Sequence, residues 1–341
     1  MAYETSNSTD PADLLNKLRI FLLADGWTIT RVDGSPGNQL TVDTPTTGAF
    51  FSFEPVNSGA NAGWKCQPHT ADSGSGVAFD QHTGSPNKDT TGSTGKFVKF
   101  GSIASSEEQG FAGLSSAYHF FTGTTSDGEY CHVVLEGDSG VYWHLAFGMC
   151  EKAGSFSGGQ YMTATNFTDQ IGEATWAFNI RNGSAASGAG WVRADDDFTG
   201  ISVTTDGGAS RWFQNIAFAG NYGITSEQMF APLYQGGLQA WNQRSSLCPI
   251  WLHAWNAAPS PNWTATGFKL LGHIPDMRFI SMDGRDPGET LTIGGDDWLI
   301  FPMHMKRSDN QNTTEAYDVT DLGSAPRNSS NLMGLAYRKN P

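Results

Sequence analysis

The runs Glu129-Tyr130-Cys131-His132-Val133-Val134-Leu135 and Val141-Tyr142-Trp143-His144-Leu145-Ala146-Phe147, separated by Gly137-Asp138-Ser139-Gly140, decide the fold class. Strict alternation places Val141, Trp143, Leu145 and Phe147 on one face, and the Gly/Asp/Ser cluster supplies a turn, so the two runs read as a β-hairpin. Similar strand-like runs follow at 175–180, 212–218, 248–253, 268–273, 277–280 and 297–302. Nothing repeats at a fixed period, which removes support for a solenoid or propeller.

Upstream the pattern changes once. Leu14, Leu15, Leu18, Phe21 and Leu22 recur at helical spacing behind a Thr9 or Asp10 cap and Pro11, and Gly26 marks the stop, predicting a helix over about 11–24. Short strands are expected at 27–31, 39–42 and 49–53. A helix packed on a small sheet buries both apolar faces. Residues 57–96, rich in Gly, Ser, Thr, Asp and Asn, read as a long loop or excursion. The expected organisation is therefore α+β and β-dominant. Residues 1–56 carry the helix and short strands, 57–96 the excursion, and 97–341 a larger antiparallel β domain with long loops and a docking C-terminal segment at Met333–Arg338.

Of the 341 residues only 16% are charged, against roughly 25% in an average globular protein, while 41 are glycine and 12% aromatic. That balance suits many strands and turns and large faces covered by something other than water. The formal charge of −14 argues against a phosphate-tracking surface. Cys66, Cys131, Cys150 and Cys248 form no Cys-x-x-Cys pair and are expected as buried, reduced thiols. The opening residues show no signal-peptide pattern and no run is long enough for a membrane helix, so the chain is expected to stay where it is made.

Gly137-Asp138-Ser139-Gly140 shares four letters with the nucleophile segment of chymotrypsin-like proteases. Val141 follows where that segment continues with Gly, and the histidine context is missing, so a turn is the better reading. Ser73-Gly74-Ser75-Gly76 reads as loop, and no phosphate-binding glycine loop occurs. His132 and His144 come near each other across the hairpin, yet Cys131 points to the other face and spacing places no third ligand. Asp195-Asp196-Asp197 and the Asp283–Glu289 stretch do not match a calcium loop. No cofactor, metal or catalytic group is assigned. The aromatics Tyr234, Trp241, Trp251, Trp255, Trp263 and Tyr337 remain as candidate interface or binding residues, because large rings are enriched at the centres of interfaces.

Two stretches carry a resemblance. One runs from Trp143-His144-Leu145-Ala146-Phe147-Gly148 to Gly158-Gly159-Gln160-Tyr161. The other runs from Leu271-Gly272-His273-Ile274-Pro275-Asp276 through Gly294-Gly295-Asp296-Asp297-Trp298 to Gly334-Leu335-Ala336-Tyr337-Arg338. Together with the helix-then-Gly-Trp opening, they resemble uncharacterised structural proteins encoded in tail and baseplate regions of phage genomes. The resemblance implies a non-enzymatic virion subunit of the tail, baseplate or neck, made in the host bacterial cytoplasm and contacting copies of itself and other virion proteins. Two alternatives stay open: a receptor- or glycan-binding tail protein, and a hydrolase of cell-wall or capsule sugars working through paired carboxylates.

Overall fold

A computed structural model describes residues 2–8, 10–33, 39–56, 62–79, 81–85, 98–101, 116–136, 142–164, 191–194, 212–214, 247–255, 268–282, 285–302 and 333–340. In chain order these form β1 (Ala2–Ser8), α1 (Pro11–Ala24), β2 (Thr28–Asp33), β3 (Gln39–Asp43), β4 (Phe50–Val56), β5 (Gly63–His69), β6 (Val98–Gly101), β7 (Ser116–Thr125), β8 (Gly128–Glu136) and β9 (Tyr142–Met149). There follow β10 (Glu151–Lys152), β11 (Gly158–Ala164), β12 (Trp191–Ala194), β13 (Trp212–Gln214), β14 (Cys248–Trp255), β15 (Phe268–Ser281), β16 (Thr290–Ile293), β17 (Asp296–Pro302) and β18 (Met333–Asn340). The fold is β-dominant, with one helix and several antiparallel sheets among the described residues. No helix among the described residues is long and apolar enough to cross a membrane.

The helix forms where its pattern predicts. Asp10 Oδ1 accepts from the Asp13 N–H at 2.8 Å, Pro11 sits in the first turn, and Leu14, Leu15, Leu18, Phe21 and Leu22 are buried. It ends in a Schellman closure: the Gly26 N–H donates to Leu23 O and the Trp27 N–H to Leu22 O at 2.9 Å, with Gly26 at φ +88°. Trp27 is thereby delivered into the core.

Three sheets are stacked. The small sheet is a meander in the order β2-β3-β4-β5-β6, and the central sheet runs β1-β7-β8-β9-β11-β12-β13. In the third sheet β14 pairs with β15, followed by β10 and β18 alongside β15, then β17 and β16. Period-two alternation sends Cys131, Val133, Leu135, Trp143, Leu145 and Phe147 of the central hairpin toward the helix and small sheet. Val134, Tyr142 and Ala146, one residue out of phase, face the third sheet instead. The central sheet is thus covered on both sides.

Several boundaries differ from the sequence reading. The small sheet continues past residue 56, because β5 lies inside the stretch read as loop: Trp64 and Cys66 point into the core while Lys65, Gln67 and His69 point outward. β1, at the start of the chain, belongs to the central sheet beside β7. The C-terminal segment, expected to dock, forms β18, which lies between β15 and β17 in the third sheet. The expected strand at 175–180 and the turn at 137–140 lie outside the described residues. Cys66, Cys131 and Cys150 are free and buried.

Candidate functional site

A buried polar site lies where the central and third sheets meet, and a break in β15 creates it. Pro275 has no N–H to give a ladder, and Asp276 has φ +46°, the one non-glycine with positive φ among the described residues. Across the break the partners of β14 jump from Arg278, opposite Pro249, to His273, opposite Trp251. The neighbour on the other side of β15 changes from β10 to β18. Residues 274–277 are thereby freed from the β14 ladder, as expected for a large bulge.

Asp276 accepts from the Tyr130 hydroxyl and, at 3.3 Å, from Arg338 Nη1, while Arg338 Nη2 donates to Asp296 Oδ1 at 2.6 Å. Beside it, His132 Nε2 lies 2.9 Å from the Pro275 carbonyl. A carbonyl only accepts, so His132 carries its proton on Nε2 and its buried Nδ1 is left without a partner. His144 repeats the device: Nε2 donates to Pro302 O at 2.8 Å, so Nδ1 accepts from the Tyr337 hydroxyl at 2.6 Å. Two histidines of one hairpin therefore grip two prolyl carbonyls of the facing sheet. Gly148 makes room for this, since a Cβ there would lie 2.4 Å from Tyr130 Cα.

Burial dominates the electrostatics. It lowers His132 to about 4, against the opposing pull of the Pro275 carbonyl and Asp276. It also raises Tyr130, aided by the Asp276 charge, and raises Tyr337. Near neutrality the imidazole is uncharged and the phenols keep their protons. Such groups are poorly tuned for proton transfer near pH 7 and well suited to holding two sheets in register.

The sequence candidates disperse. Tyr337 is fully buried in this cluster, stacked on Phe121 with ring centroids 5.0 Å apart, which corrects its reading as an interface or binding aromatic: its ring packs within its own chain. Trp251 on β14 is half-buried and meets His273 edge-on at 5.3 Å, with His273 Nε2 3.1 Å from Glu151 Oε2. For Trp255 the backbone alone is described, opposite Phe268. Tyr234, Trp241 and Trp263 lie outside the described residues. Asp276, Arg338 and the two prolyl carbonyls were missed as a site; the available signal was a Pro-Asp pair inside a strand-like run. His132 and His144 share a face, as alternation implies, but bind carbonyls; among the described residues no group of three metal-ligating side chains occurs.

A second acidic spot bears on the hydrolase alternative. Burial, with help from the Glu129 charge, raises Asp43 to about 6. Glu129 is itself buried and accepts from Thr46 Oγ1 at 2.5 Å and from the Thr46 N–H at 3.4 Å, so its oxygens hold the 44–47 turn.

No family model matches the chain, and no curated protein matches it in sequence.

Proposed function

We propose that this chain is a structural subunit of a tailed-phage virion, in the tail, baseplate or neck, which assembles with copies of itself into a ring and holds neighbouring components in register. The observation that carries the reading is the interlayer site: His132, His144, Tyr337 and Asp276 pair across two stacked sheets and fix their register. The stretches that resemble phage tail and baseplate proteins supply β9, β15, β17 and β18, which meet β8 at that site. A stack of antiparallel sheets tied by directional bonds resists shear, which suits a mechanical part. Ile20 and Leu23 on α1 remain exposed and offer apolar contact to a neighbouring copy.

Light scattering on the purified protein, with negative-stain images, tests this. A mass that is a whole-number multiple of 36.7 kDa together with annular particles is the expected result. A protein that stays monomeric up to its solubility limit overturns it.

Receptor or glycan binding is the second reading, favoured by one observation: half-buried Trp251 stands beside His273 and Glu151, an aromatic face next to hydrogen-bonding groups. A glycan-binding screen with Trp251→Ala as control decides it. Binding lost in the variant supports the reading, and no binding by the wild type sinks it.

A further inference from the structure

The outer face of the small sheet is polar yet buried. Gln39, Thr41, Ser52, Gln67 and His69 project from β3, β4 and β5 away from the core, and all are 7% exposed or less. Their cover includes the segment 70–79 and 81–85, which leaves β5 and doubles back on itself through the Ala71–Thr83 bridge. This flap is held by polar and ring contacts. Arg31 donates to Gly74 O and Val77 O at 3.0 and 2.8 Å, Gln67 Nε2 donates to Ser85 Oγ at 3.1 Å, and His82 Nε2 meets the Gln39 amide at 2.8 Å. His82, on the flap, stacks on His69, on the sheet, with centroids 4.4 Å apart.

The proton positions beneath the flap follow from the acceptors. His69 Nδ1 faces Ala71 O at 3.0 Å and must donate, so Nε2 accepts from the Ser52 hydroxyl at 2.7 Å, and Ser52 in turn accepts from Thr41 at 2.9 Å. A second proton on His69 has to reverse that hydroxyl chain and put a charge against a buried ring. His82 Nε2 accepts from the Gln39 side-chain N–H at 2.8 Å, and its Nδ1 lies beside the Ser73 N–H at 3.1 Å and Asp72 Oδ1 at 3.3 Å.

We propose that residues 70–79 and 81–85 form an acid-released flap, in which protonation of His69 beneath the stacked His82 ring lifts the flap from the small sheet and uncovers the Thr41, Ser52 and Gln67 face. Burial, reinforced by the charge His82 can carry, lowers His69 to about 3 while the flap is closed. The ordinary value, near 6.5, returns once it opens. Closed-state stability is therefore complete above about pH 6.5 and falls as the pH drops below it. Among the described residues the other charged groups facing the pair and the flap are Asp72, whose Oδ1 is 3.3 Å from His82 Nδ1, Arg31 with its partner Asp33, and Lys65 with its partner Glu54. Asp72 and His82 both ride on the flap, so their pairing persists when it lifts.

Hydroxyl-radical footprinting of the full chain, read by mass spectrometry at pH 7.5, 6 and 5, tests the flap. Oxidation of His69, His82 and Phe79 is expected to rise by up to about tenfold for each pH unit below 6.5, with Phe51 and Phe147 in the core unchanged. His69→Gln, which keeps a hydrogen-bonding side chain and cannot take the proton, should flatten that profile. Flat oxidation in the wild type, a rise that only parallels the core residues, or an unaltered profile in His69→Gln overturns the proposal. If His69→Gln does not fold, the wild-type profile against the core residues decides alone.

Discussion

The two faces of the central sheet are built on different principles. Toward the helix and small sheet, Phe147 packs against Trp27, Phe51 and Phe53 at 5.7, 5.1 and 5.2 Å, in a cluster made of apolar and aromatic side chains. Toward the third sheet the apolar cluster of Phe121, Tyr142, Leu271 and Leu335 is interrupted by His119, His132 and His144, each bonded to a group on another strand. Dispersion and burial act in every direction, so the first face gives cohesion with little instruction about register. Hydrogen bonds between single atoms are directional, so the second face fixes which residue of one sheet meets which of the other. Truncating Phe147 to Ala probes the first face. It should produce the largest loss of any single change considered, about 3–5 kcal/mol, because three rings lose their common partner. Denaturant unfolding measures it, and a loss below about 1 kcal/mol would mean that the cluster collapses to refill the space.

Acid should separate the two faces, because the described histidines of the central sheet all lie on the third-sheet side. Burial lowers His132 and His119 to about 4 each, with the Lys339 charge contributing at His119. A histidine whose folded-state value lies below its unfolded value of about 6.5 contributes stability that is intact above 6.5 and lost as the pH falls toward 4. At pH 5 each can withdraw up to about 2 kcal/mol. The prediction is that the midpoint of denaturant unfolding drops from pH 7 to pH 5, and that His132→Gln reduces the drop. A midpoint constant over that range would show that the buried rings take up protons as easily as free ones.

Removing one hydroxyl asks how much register a single bond supplies. Tyr337→Phe keeps the ring stack on Phe121 and strips this hydroxyl donor from His144 Nδ1. About 1–2 kcal/mol is the expected loss. The same change should loosen the contact between β9 and β18, read as faster amide exchange in β18 than in β7. Equal exchange in the two strands would indicate that the Pro302 bond alone holds the histidine.

How far the sequence discloses this follows the same division. Helix α1 and the β8–β9 hairpin were legible because hydrophobic period reports one covered face or one turn, which are local properties. β5 was not, because Lys65, Gln67 and His69 read as solvent-facing residues in a Gly/Ser-rich stretch, whereas Gln67 and His69 are covered by the flap that follows them. The interlayer site was hidden for a different reason: His132 and Pro275 are 143 residues apart, and His144 and Tyr337 are 193 apart. Nothing in spacing announces a bond across that distance. Tyr337 shows the same limit, since an aromatic in a C-terminal strand reads equally as core or as contact until its partner is known.

The smallest effect should come from Asp43, at the rim of the apolar face. Burial holds its carboxyl up at about 6, with Glu129 adding its negative charge. An acid whose folded-state value is raised is stabilising when protonated and loses that contribution as the pH climbs from about 4 through 6, so at neutrality the ionised group opposes folding. Asp43→Asn should therefore stabilise the protein at pH 7 and leave it nearly unchanged at pH 4. Asp43 is partly open to water, which screens its charge, so the gain should stay below about 1 kcal/mol. Thermal unfolding of both proteins at the two pH values measures it. Should the variant instead be less stable at pH 7, the ionised carboxylate is needed for the 44–47 turn, and the apolar face would then also depend on a directional polar contact at its edge.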